Sequence, residues 1–174
     1  MLEWLRRQIH SRASEDDLLS IVFLLRDSVV LTADEAVRMC NAAWGAAAPV
    51  KLVAIVSEGH YALEASPLFF AFHSVAQRYQ AKPPALSQVQ QQCWDQHSAW
   101  MSVDMVKSVS ELRASGSLAA AYKTLFYFVF KHWSSDTLAL YFPCEGVTLP
   151  NHGDLIQSIR WCRRNGIDLS FLQP

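Results

Sequence analysis

The chain has 174 residues, with 15 Lys and Arg against 16 Asp and Glu; 51% of it is hydrophobic and 18% charged. That balance excludes an intrinsically disordered chain, and a formal charge of -1 offers no electrostatic case for a nucleic-acid partner. The length suits one domain with enough core to fold without staples.

Met1–Arg12 places Leu2, Leu5 and Ile9 on one stripe of a short helix, with Trp4, Arg6, Arg7 and Arg12 around it. Residues 1–14 are expected as a helical extension docked on the domain. A membrane-surface anchor is the alternative that Trp4 and the arginines would suit. No apolar stretch follows that would make a signal peptide. Asp17–Arg26, with Ile21-Val22-Phe23-Leu24-Leu25, reads as a central strand that is apolar on both faces. Thr32-Ala33-Asp34-Glu35 predicts a capping box, followed by Val37, Cys40 and Trp44 at helical spacing and Gly45 as the stop.

Lys51–Ser57 and His60–Ala65 predict a hairpin through Glu58-Gly59, and Leu68–His73 resumes as a strand after the break at Ser66-Pro67. Gln77–Gln92, with Pro83-Pro84, reads as a connector whose glutamines lead into a short helix toward Cys93-Trp94. Ala99–Val106 predicts a strand with one polar face around Ser102 and Asp104. Ser115-Gly116-Ser117 is expected to cap a long helix, Leu118–Trp133. Its apolar face would be Tyr122, Leu125, Phe126, Val129, Phe130 and Trp133, with Lys123 and Tyr127 opposite. Interrupted by Lys123 and Lys131, it falls short of the roughly 20 apolar residues of a membrane span. Thr137–Phe142 is a further strand, Cys144–Pro150 a loop, and Asp154–Asn165 a final helix closed by Gly166. The order β-α-β-β-β-β-α-β-α, read as one domain over residues 1–174, predicts an α+β two-layer sandwich. Its sheet is expected to be mixed and largely antiparallel, with helices on one face.

Three segments together resemble a family of small bacterial α+β proteins of unknown function. They are the first strand with its Thr32-capped helix ending in Ala43-Trp44-Gly45, then His97-Ser98-Ala99-Trp100-Met101-Ser102-Val103-Asp104, then Asp136–Glu145 with its Ala139-Leu140-Tyr141-Phe142-Pro143 core. The resemblance implies the same order of elements and a bacterial cytoplasmic setting, and it implies no activity.

Cys93 and His97 are four apart and would face the same way on a helical turn, with Asp104 further along to orient the imidazole. The pair could begin a zinc site completed by His73, His60 or Cys144, although no spacing specifies this and no metal or cofactor is expected. The bland alternative is a locally bonded His97 and an Asp104 that caps or turns. Cys93 or Cys144 as a nucleophile would need a neighbouring base, and His152 lies in a loop after Cys144. A packed thiol is the alternative. The four cysteines, Cys40, Cys93, Cys144 and Cys162, form no knuckle or compact disulfide framework, so reduced thiols in a cytoplasmic protein are expected. Arg160, Arg163 and Arg164 fit the C-terminal dipole of the last helix as well as an anionic partner.

Six tryptophans exceed the usual needs of a small core. Trp94, Trp100 and Tyr127 are therefore candidate anchors for a protein partner. No nucleotide, hydrolase or metalloprotease motif occurs. The sequence thus suggests a non-catalytic protein-binding or self-associating domain, with a small hydrolase or metal-dependent enzyme centred on His97, Asp104 and Cys93 as the alternative.

Overall fold

Runs of β-branched and aromatic residues become seven strands of one sheet in the computed structural model, which describes residues 18–45, 49–66, 68–81, 83 and 85–172. They are β1 (Leu18–Leu25), β2 (Lys51–Ser57), β3 (His60–Ala65), β4 (Leu68–Val75), β5 (Ala99–Ser108), β6 (Thr137–Phe142) and β7 (Val147–Pro150). The order across the sheet is β2-β3-β4-β5-β1-β6-β7, and every neighbouring pair is antiparallel. The expected N-terminal helix lies outside the described residues.

Helices α1 (Ala33–Trp44), α2 (Gln88–Gln96), α3 (Val109–Ala114), α4 (Leu118–His132) and α5 (Leu155–Arg164) complete the α+β architecture. Leu19, Ile21 and Phe23 of β1, Phe70 and Phe72 of β4 and Leu140 and Phe142 of β6 face α1, α4 and α5 in one main core. Trp44 of α1 stacks on Phe70 with ring centres 4.5 Å apart. Its indole N–H donates to the Thr124 carbonyl of α4 at 2.9 Å, so the two covering helices are tied to each other as well as to the sheet. The capping box of α1 forms as the sequence predicts: the Glu35 amide donates to the Thr32 hydroxyl, and the Thr32 amide donates to the Glu35 carboxylate at 2.8 Å.

The structure departs from the sequence reading in several places. The sheet is wholly antiparallel because β1 is flanked by β5 and β6, both running against it. The segment expected as a loop after Pro143 instead reverses through Gly146, at φ 63°, and returns as β7 beside β6. Pro150 ends this edge strand, where a missing N–H costs no ladder bond. Helix α2 forms in full behind a Ser87–Gln90 capping box and packs on the second face of the sheet, where Trp94 meets Val22, Leu24, Ala139 and Tyr141. Helix α3 was not anticipated; its own box pairs Ser108 with Glu111. Ser117 holds the N-cap position of α4 without a side-chain capping bond. Helix α4 buries Leu125 and Val129 of the expected face, and Tyr122, Phe126 and Trp133 pack partly buried against the core; Ala121 and Phe128 are buried as well, while Phe130 is 66% exposed.

Candidate functional site

Side chains alternate across a strand, so Trp100, Ser102, Asp104 and Val106 of β5 all project to the second face. Cross-strand pairing sets their neighbours. Ser102 lies opposite His73 of β4, and His73 opposite His60 of β3. One step along, Asp104 lies between Ala71 of β4 and Ser20 of β1. Helix α2 covers this face on the β6–β7 side, away from the two histidines.

The register assembles a chain of polar groups. Ser20 donates its hydroxyl to Asp104 Oδ1, and Ser102 donates to Oδ2 at 3.2 Å. His73 Nε2 also meets Oδ2, at 3.1 Å, with the His73 and Asp104 side chains 14% and 17% exposed. His73 Nδ1 in turn lies 2.6 Å from His60 Nδ1. A carboxylate only accepts, so it fixes the hydrogen on His73 Nε2, and with both imidazoles neutral the rest of the chain follows. Nε2–H of His73 donates to Asp104, Nδ1 of His73 accepts from Nδ1–H of His60, and Nε2 of His60 is left with a lone pair. No hydrogen bond to that nitrogen occurs among the described residues. Burial lowers the His60 pKa, the neighbouring His73 lowers it further, and the Asp104 charge works the other way. A partly exposed imidazole kept neutral at its outer nitrogen is a proton acceptor. The two serines are not poised as nucleophiles, because both hydroxyl protons are directed to Asp104.

Gly59 positions the first imidazole. It has φ 72°, and a Cβ there would lie 2.2 Å from the Ser74 carbonyl oxygen, so the turn before His60 requires glycine. Trp100 leans over the site with its ring centre 5.9 Å from that of His73, and Tyr79 meets Trp100 edge-on at 5.0 Å.

The residues singled out in the sequence are distributed as follows. Asp104 joins the chain just described and meets His73, not His97. His97 is 2% exposed; its Nδ1–H donates to the Trp94 carbonyl at 2.6 Å, and its Nε2 accepts from the Tyr79 amide at 2.9 Å. Both ring nitrogens therefore serve to pin the connector onto the end of α2, and burial lowers the His97 pKa. Cys93 donates to the Leu138 carbonyl at 3.3 Å, and burial pushes its thiol up. Cys144 donates to the Leu18 carbonyl at 2.7 Å, while His152 stacks on Trp161. Trp94 is buried, with its indole N–H on the Thr148 hydroxyl; Trp100 is half-buried and Tyr127 is 53% exposed on the outer side of α4. Arg163 and Arg164 occupy the last turn of α5. Among the described residues, no group of three or more His, Cys, Asp or Glu side chains is arranged to hold a metal ion. No helix among them is long and apolar enough to cross a membrane.

Comparison with known protein families, with curated proteins and with solved structures found no match. The resemblance drawn from the three sequence segments therefore rests on those residues alone.

Proposed function

We propose that the chain is a small hydrolytic enzyme of the general-base type, working at the second face of its sheet. His60 would be the catalytic residue, and His73 and Asp104 the positioning residues behind it. The observation that carries this reading is the directed chain from Asp104 through His73 to a lone pair on His60 Nε2. In such a reaction His60 takes a proton from water as the water oxygen adds to an electrophilic carbon, and the same proton then goes to the leaving group. Trp100 and Tyr79 offer an aromatic wall for a flat or apolar substrate moiety.

An activated ester, p-nitrophenyl acetate, is a suitable probe for the full-length chain. His60→Gln is expected to lower the turnover by at least about tenfold while leaving the melting temperature in place. Asp104→Asn is expected to move the midpoint of the pH–rate profile downward, because the Asp104 charge favours the protonated His60. A turnover that does not depend on His60 would overturn the proposal.

A further inference from the structure

Leu118, Tyr122, Phe126 and Phe130 recur every fourth residue, so they form one row along helix α4. Leu118, Tyr122 and Phe126 rest on the core by one flank, and Phe130 is exposed at the far end of the row. Opposite them, Phe171 of the short helical turn Ser170–Leu172 is held between Tyr122 and Phe142, with ring centres 5.8 and 5.1 Å away. Row and wall line an open groove of about 860 Å³, within the range of about 300–1,000 Å³ for small-molecule sites. From Leu118 to Phe130 the helix rises about 18 Å, so the groove suits an elongated apolar body.

The charged groups of the lining gather at one end. Arg113 closes α3, just ahead of the start of α4, and its charge is felt at the Tyr122 hydroxyl; Lys123 follows Tyr122 on α4. Glu145, the acid among them, is already engaged: it accepts from the Tyr122 hydroxyl, and burial pushes its carboxyl up toward the neutral form. Arg113 and Lys123 make no ion pair among the described residues, so the charge at this end is positive and unmatched. An apolar groove with cations at one end is complementary to a carboxylate on an apolar tail.

We propose that this groove binds one fatty-acid molecule, with the carboxylate at Arg113 and Lys123 and the tail running past Phe126 toward Phe130. The test is isothermal titration of the full-length chain with dodecanoate, decanoate and dodecyltrimethylammonium, each below its micelle concentration. Dodecanoate is expected to bind one molecule per chain. Decanoate is expected to bind about fourfold weaker for each methylene lost from the groove. Dodecyltrimethylammonium has the same tail under a cationic head, and it is expected to bind at least about tenfold weaker. Arg113→Gln is expected to weaken dodecanoate about tenfold and to narrow the preference between the two heads. Phe130→Ser is expected to weaken both amphiphiles alike; Phe130 is exposed, so the melting temperature without ligand should hold. No saturable binding of dodecanoate, equal affinity for the two heads, or unchanged affinity in either variant would overturn the proposal. A dimer that Phe130→Ser dissociates would overturn it too, because a second copy would then cover this face. Weaker dodecanoate binding in His60→Gln would place the ligand on the second face of the sheet, with the same consequence. None of these outcomes depends on whether the His60 site is catalytically active.

Discussion

Asp104 accepts from Ser20, Ser102 and His73, so its removal strands three donors at once. Asp104→Ala is expected to cost about 3 kcal/mol in denaturant titrations, the upper range for a hydrogen-bonded charged acceptor. Ser20→Ala, which deletes only one of the donors, is expected to cost about 1 kcal/mol. Equal costs would mean that the carboxylate does not organise the cluster. This cluster was half legible in the sequence. The polar face of β5, with Ser102 and Asp104, follows from period-two alternation, and Asp104 could be picked out there. Its imidazole partners depend on register. Once Ala65 pairs with Leu68 across the turn, His60 must pair with His73. The two strands and their break were readable, so this one step of counting would have brought the histidines together. His97 drew attention instead because it is close to Asp104 along the chain, while the fold spends its ring on two backbone groups.

At the scale of elements, α4 gives the sharpest test. Phe128 is 1% exposed and touches the rings of Phe23, Trp44 and Phe72, whereas Phe130 is 66% exposed. Phe128→Ala is therefore expected to destabilise the fold by about 4 kcal/mol. Phe130→Ala is expected to stay within about 0.5 kcal/mol. The reverse result would return Phe130 to the buried face, where the sequence reading places it. That face was ambiguous because apolar residues occur all round α4, and periodicity cannot choose a side when both sides are greasy. Capping was easier to read. Thr32 and Glu35 have the right spacing and form the expected box, and Thr32→Ala is expected to cost about 1 kcal/mol by thermal or chemical melting. Strand β7 could not be read the same way. It has four residues, and its pairing is set by the αL turn at Gly146 rather than by a pattern of its own.

For the whole molecule, histidines that are wholly or partly buried shape the response to acid. His60, His97, His132 and His152 each have a lowered pKa, with burial as the first cause. The unfolded chain therefore binds protons at these sites before the folded one does, starting near pH 6.5. Stability should be level above about pH 6.5 and fall as the pH drops toward the lowered folded values. The exposed caps Glu35, Glu111 and Asp154 have lowered pKa values, so their contribution is lost only further down, below about pH 4.5. A melting temperature that holds steady from neutral pH down to the carboxylate range would contradict this. The pH course of folding sums over four rings, however, whereas the proposed chemistry belongs to one. The most direct check is long-range proton–nitrogen correlation of the imidazole rings in the full-length protein at neutral pH. The geometry predicts His73 protonated on Nε2 and His60 protonated on Nδ1, with a bare Nε2 on His60. His60 found with its proton on Nε2 would contradict the account.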